Sequence, residues 1–283
     1  ILDKSKTCNY QDLYTKIKKN FNFNKVGHSG TLDPNADGLM LLATDSYTKL
    51  FDYIENTDKT YKATAILGYS SPTLDVDSDL IFHENINAVS LTKDIENFLG
   101  NLVGESFQTP PIYSAIKVKG KRLYKYARQN QEVDIPVRKI IVDNTELLSV
   151  ESNKVTFQIT VSKGTYIRSI VEELGKSLNT VAIVEKLSRT SIGNLDINHS
   201  KLNKNIETMD YKSNLQSLDW KEVINLPILE INQEVLKSVQ HGQLILSSMF
   251  SNQEKYILSI NNDAVAIYKP FNEKYFKPDK VLL

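Results

Sequence analysis

The chain of 283 residues has one cysteine, Cys8, which excludes an internal disulfide and any cluster of thiolate metal ligands. That usage fits a reducing compartment. The histidines, His28, His83, His199 and His241, are too scattered for a local metal motif. No apolar run approaches the roughly 20 residues that span a bilayer, and no basic-then-apolar segment opens the sequence. A cytoplasmic protein with no membrane partner is expected. P-loop, dinucleotide fingerprint and zinc-protease helix are all missing, so cofactor chemistry has no support. Asp75, Asp77 and Asp79 have the spacing of the first half of an EF-hand loop, but Leu80 stands at the required glycine and Ile86 at the required glutamate. A polar loop is expected there, and no metal. Net charge is lacking too, since 34 Lys plus Arg meet 34 Asp plus Glu.

The distribution of charge is more telling than its sum. Between Lys117 and Lys139 lie Lys119, Lys121, Arg122, Lys125, Arg128 and Arg138 against only Glu132 and Asp134, with Tyr113, Tyr124 and Tyr126 alongside. Basic and aromatic residues mixed in this way suit a nucleic-acid surface. A solvated helix face has the same composition.

Gly27 to Pro34, GHSGTLDP, sets a lone carboxylate, Asp33, among glycines and small polar residues just before the apolar run LMLLA. Gly27 and Gly30 permit positive φ or close approach of a ligand, and Pro34 steers Asp33 out of the helical region. A fixed carboxylate can serve as nucleophile or base. Asp-Pro is also an ordinary turn starter.

Tyr10, Leu13, Tyr14, Ile17 and Phe21 recur at helical spacing behind a possible N-cap, Asn9, which predicts a helix over residues 10 to 21. TYKATAIL and the alternating Val155, Phe157, Ile159 and Val161 predict strands. Ile95, Phe98, Leu99 and Leu102 mark a helix, and Ile170, Val171, Leu174 and Leu178 another, with Arg168 where strand gives way to helix. YSAIKV reads as a strand entering the tight turn of KGKR, and RLYKYARQ as a helix. Between Asn194 and Leu218 large apolar residues thin out, and Trp220 resumes a folding pattern, which places a domain boundary there. A helix-like stretch up to Gly242 and the hairpin YILSI, NND, AVAIYK complete a small β module.

Four segments in this order, GHSGTLDPNADGLMLL, KTYKATAILGYSSPTLD, QTPPIYSAIKVKGKRLYKYAR and SKGTYIRSIVEELG, resemble the bacterial TruB-type tRNA pseudouridine synthases from the first residues to about Gly193. The ending YFKPDKVLL is similar, more weakly, to the close of that family's PUA-like domain. The resemblance implies an α+β pseudouridine synthase fold with a mixed, mostly antiparallel central sheet. Residues 1–219 are then the catalytic domain and 220–283 a PUA-like RNA-binding domain. It implies isomerisation of uridine 55 in the tRNA T loop by a monomer, after base flipping, with no metal or organic cofactor. The family's catalytic aspartate falls on Asp33, its uracil-stacking tyrosine on Tyr61, and the arginine paired with the aspartate on Arg168. A buried cation beside Asp33 would keep it ionised, whereas desolvation alone raises a carboxyl pKa. His28 matches a histidine that fills the space left by flipped bases, and Leu187 a pocket-floor leucine equally suited to a core position. Lys25, Lys117 and Arg122 would face phosphates.

The sequence departs from the family's opening DKPxGxTS, reading Asp3, Lys4, Ser5, Lys6, Thr7, and it carries Asp45 where a small glycine is common. Two readings from other classes stand beside the enzyme. A tRNA-binding folding chaperone has no need for Asp33, Tyr61 and Arg168 together, and a small-molecule hydrolase using Asp33 with Asp37 leaves the basic stretch without a role.

Overall fold

The computed structural model describes residues 1–4, 10–54, 57–203 and 216–283, with the side chains of residues 10–12 left aside. The larger sheet contains β1 (Leu2–Lys4), β2 (Asp37–Met40), β3 (Lys59–Leu67), β4 (Gly104–Gln108), β5 (Arg138–Glu151), β6 (Lys154–Val161), β7 (Ala182–Ile192) and the short β8 (Leu195–Asp196). Their order is β1-β2-β7-β3-β6-β5-β4, with β8 on β7. Within this sheet only β2 and β7 pair in parallel, so the expected mixed, mostly antiparallel sheet is present.

Alternation decides which face is buried. Ala63, Ala65 and Leu67 of β3 and Val155, Phe157, Ile159 and Val161 of β6 point into one core with Ile170, Val171 and Leu174. The last three come from α3 (Ile167–Ser177), which follows α1 (Tyr10–Phe21) and α2 (Thr92–Asn101) in the chain. Each large apolar side chain buried fully contributes ~1.5–3 kcal/mol. The opposite face carries Thr60 and Thr64 bonded across to Thr160 and Thr156, at 3.0 and 3.1 Å, so its polar groups pair between strands. Leu13 and Ile17 of α1 pack on Leu2 and Met40. The helix bounds match the sequence pattern, while the suggested cap, Asn9, lies outside the described residues.

YSAIKV departs from expectation. Only Lys117–Val118 extends, pairing with Lys121–Arg122 across Lys119 and Gly120, both at positive φ. Tyr113 and Ser114 are bent because their carbonyls accept from the Arg168 side chain and from Tyr124 N, leaving them no role in a ladder. The helix that follows is short, Leu123–Ala127.

The C-terminal part holds α4 (Gln233–Gln240) and a five-stranded sheet in the order β9-β11-β12-β13-β10, from Ile228–Glu230, Ile245–Leu246, Tyr256–Ile260, Asp263–Pro270 and Tyr275–Val281. The predicted hairpin is β11 and β12. An apolar cluster joins this part to the larger sheet: Leu39, Leu50, Phe51 and Ile192 meet Trp220, Ile257, Ile267 and Leu282. Polar contacts reinforce the seam, with Asp279 accepting from Tyr53, Lys255 and Lys269, and Lys280 paired with Asp52 at 2.5 Å. Among the described residues no helix is long and apolar enough to cross a membrane.

Candidate active site

Asp33 stands on a loop whose course is set by short-range chemistry. Gly30 takes φ +75, Leu32 is buried, and Ala36 N donates to Asp33 O at 3.0 Å across Pro34. The turn reading and the mounted-carboxylate reading therefore describe one structure.

Arg168 meets that carboxylate from the first turn of α3. Its Nη2 donates to Asp33 Oδ1 at 2.9 Å and its Nε lies 2.8 Å from Oδ2. The same guanidinium donates to Thr73 O at 2.8 Å and Tyr113 O at 3.1 Å. The Arg168 side chain is 5% exposed and that of Asp33 33%, so a buried cation presents a carboxylate that remains reachable. The helix start is itself held. Gln108 clamps Tyr166 by its side chain, accepting from Tyr166 N at 2.8 Å and donating to Tyr166 O at 3.1 Å. Ser169 Oγ donates to Thr109 O. The QTPPIY segment thus fixes the arginine's position.

A second carboxylate shares the arginine. Asp75, on the loop expected to be merely polar, is 6% exposed and lies 3.8 Å from Arg168 Nη1. Thr73 Oγ1 and Asp77 N donate to it at 2.5 and 3.0 Å. Burial pushes the Asp33 carboxyl above its ordinary pKa, Arg168 pulls it down, Asp75 pushes it up again, and Lys4 lowers it further, with a net direction upward. The guanidinium therefore offsets desolvation only in part. Asp77 is raised in the same way, by burial and then by Asp75.

Asp33, Ala36, Asp75, Arg168 and Leu187 line one pocket. Leu187 is at once pocket wall and part of the core cluster. Tyr61 sits on β3, half-buried against that core, its Cα paired with that of Arg189 and two residues from Ala63, the partner of Leu187. Asp33, Arg168, Leu187 and Tyr61 are thus gathered on one side of the sheet.

The remaining candidates lie outside the pocket. His28 ends a short strand, Val26–His28, that runs into the loop; its Nδ1 contacts the Tyr14 hydroxyl and its Nε2 lies 2.9 Å from Thr31 Oγ1. Lys25 is exposed and immediately precedes that strand. Asp45, a departure from the family pattern, explains itself here: it sits at φ +45 and its Oδ1 accepts from Asn24 N and Lys25 N, each at 2.9 Å. Lys117 and Arg122 face each other across the exposed hairpin, four residues beyond the Tyr113 carbonyl that Arg168 holds. Lys121 of the same stretch is committed internally, to Gln129, Gln131 and the Tyr126 ring. A larger cavity of about 430 Å³ lies at the seam, lined by residues such as Gly193 and Glu222, away from these groups.

Sequence reasoning missed Asp75, Gln108, and two buried cations behind the loop. Lys4 Nζ donates to Pro34 O at 3.2 Å and Ala36 O at 2.7 Å; Arg189 holds Leu39 O and Gly30 O. A signal for Arg189 existed, since it is in phase with Leu187 on the inward side of an alternating strand.

The family profile described as TruB family pseudouridylate synthase (N terminal domain) matches residues 18–167. The tRNA pseudouridine synthase B of Mycoplasmopsis pulmonis is 37% identical over 90% of this chain and 88% of its own length. That of Oceanobacillus iheyensis is 33% identical over 98% and 95%. Among solved structures, an H/ACA RNP bound to a substrate RNA containing 2′-deoxyuridine is similar in fold, with TM-score 0.70 at 20% identity over 100% of this chain and 84% of that one. A Cbf5-Nop10-Gar1 complex gives 0.69 at 22%. With a profile match that spans the Asp33 loop and Asp75 and ends one residue before Arg168, and relatives this similar over nearly their whole length, the chain belongs to the TruB family of pseudouridylate synthases.

Proposed function

We propose that this protein converts uridine 55 in the T loop of tRNA to pseudouridine, with Asp33 as the catalytic carboxylate. The observation that carries the reading is the Asp33 carboxylate, aimed by Arg168 at 2.8 and 2.9 Å into a pocket walled by Leu187. The name tRNA pseudouridine synthase B borne by its relatives supports the choice of tRNA.

The reaction breaks the C1′–N1 bond, turns the uracil, and joins C1′ to C5. The hydrogen on C5 leaves as a proton and N1 gains one, so the change is redox-neutral and calls for neither metal nor organic cofactor. An ionised carboxylate can attack C1′ or remove a proton at C2′. Both routes need the uridine out of its stack, which costs a few kcal/mol. Tyr61 stacks on the extruded uracil, Leu187 closes the pocket floor, and His28 fills the space left in the T loop. Lys25, Lys117 and Arg122 face phosphates and fix position without reading sequence. Residues 1–219 form the catalytic domain and 220–283 a PUA-like RNA-binding domain, in a protein that acts as a cytoplasmic monomer.

The test incubates wild type and Asp33→Asn with unmodified tRNA transcript and maps pseudouridine by carbodiimide-dependent stops of reverse transcription. A stop at the T-loop uridine with wild type alone is expected. Tight tRNA binding with no stop would instead make the protein a tRNA-folding chaperone, and normal turnover by Asp33→Asn would remove Asp33 from the mechanism.

A further inference from the structure

Arg189 on β7 is 1% exposed, and among the described residues it has no carboxylate partner. Its Nε donates to Leu39 O at 2.8 Å and its Nη1 to Gly30 O at 3.1 Å, while Nη2 is buried without a hydrogen-bond partner among those residues. Burying a guanidinium against carbonyl dipoles alone is costly, and an apolar side chain of similar length would pack there at less cost. Its placement is what distinguishes it. The two carbonyls bracket Asp33, three residues before it and six after.

The loop is shaped to this arginine at both ends. A Cβ on Gly30, at φ +75, would come within 3.3 Å of Arg189 Nη1; one on Gly38, at φ +99, would lie 2.4 Å from Arg189 O. Both glycines let the loop's backbone close on Arg189. Lys4 ties Pro34 O and Ala36 O, so the two cations hold four carbonyls of one loop. The strand that carries Arg189 also places Leu187 in the pocket wall, in the same phase of its alternation.

We propose that Arg189 is a positioning residue for the isomerisation: by gripping Gly30 and Leu39 it fixes the span that holds Asp33 at the distance and angle Arg168 and the uridine require. This rests on Asp33 acting as the catalytic carboxylate. A displacement of about 1 Å at a reacting group can cost about a hundredfold in rate, whereas RNA affinity, which resides in contacts elsewhere, is indifferent to it.

The experiment measures single-turnover tritium release from C5 of labelled uridine in tRNA transcript, with enzyme in excess, for wild type, Asp33→Asn and Arg189→Lys. Dissociation constants and thermal melts accompany it. A lysine can reach one of the two carbonyls but cannot span both. Arg189→Lys is expected to melt cooperatively, bind tRNA within threefold of wild type, and react with a rate constant lower by about 10- to 100-fold at unchanged amplitude. A purely structural role would lower the folded fraction seen in the melt, as inactive protein accumulates, and leave the rate constant at saturating enzyme alone. That result, a rate within twofold of wild type, or a loss that merely follows weaker binding, would overturn the proposal. Should Arg189→Lys fail to melt cooperatively, Arg189→Met, which packs at similar length without a buried charge and reaches neither carbonyl, decides by the same rate and affinity. Wild type without tritium release would refute the function, while an active wild type beside a fully active Arg189→Lys would refute only the role of Arg189.

Discussion

Replacing Arg168 by lysine separates geometry from charge at the candidate carboxylate. Arg168 meets both oxygens of Asp33 and still donates to the carbonyls of Thr73 and Tyr113. An ammonium keeps the charge but offers its donors from one nitrogen, so it must give up part of this set. Removing one charge-assisted hydrogen bond costs about 1.5–3 kcal/mol. At ~1.4 kcal/mol per factor of ten, the single-turnover rate should fall about 10- to 150-fold if that bond persists in the transition state. Arg168→Met loses the charge as well. Burial already raises Asp33, and without its main opposing influence the pKa must rise further. With Asp33 acting as proposed, activity needs the ionised form, so the acid limb of the pH–rate profile should move to higher pH in the Met variant and stay near wild type in the Lys variant. Tritium release at saturating enzyme, followed from about pH 5 to 8.5 across the ordinary carboxylate and histidine ranges, reads both effects. A Lys variant within threefold of wild type, or acid limbs that coincide for Lys and Met, would refute the reasoning.

Asp75→Asn removes the neighbour that pushes Asp33 upward, so the acid limb should shift to lower pH while the plateau falls as Arg168 loses one of its holders; an unmoved limb counts against coupling of the two carboxylates. Replacing Lys117 and Arg122 together by alanine should weaken tRNA binding and lower the log–log salt slope by about 0.7–0.9 for each phosphate that is no longer neutralised, with the saturated rate unchanged. A slope equal to wild type would take the hairpin away from the RNA. At the seam, burial pushes Asp279 upward, but hydrogen bonds from Lys269, Tyr53 and Lys255 outweigh it and hold its carboxyl below the usual range. A depressed folded-state pKa stabilises above the unfolded value and ceases to do so as pH falls through the folded one. Asp279→Asn should therefore lower Tm at neutral pH, with the gap to wild type closing below about pH 4, the unfolded carboxyl value. A gap that widens in acid would refute the assignment.

Patterns within a few residues are legible because local sterics and burial write them. The bounds of α1, the alternation of β3 and β6, and the turn at Asp33 follow from spacing and from Pro34. Resemblance added the pairing of Asp33 with Arg168, residues 135 apart, which no local signal carries. Asp75 looked like any acidic residue on a polar loop, and only the closing of that loop over Arg168 turns it into a buried partner. Lys4 was equally silent, and Arg189 signalled its burial only by its phase with Leu187, since which carbonyls meet a buried cation depends on the tertiary fold. YSAIKV reads as a strand by propensity, yet its carbonyls are taken by Arg168 and Tyr124 instead. The sequence by itself determined α1, α2 and α3, the strands β3 and β6, the C-terminal hairpin and the loop that presents a carboxylate, because those rest on interactions between near neighbours. Only the tertiary structure decided that carboxylate's electrostatics, because desolvation, Arg168 and Asp75 act across chain separations that pattern does not encode.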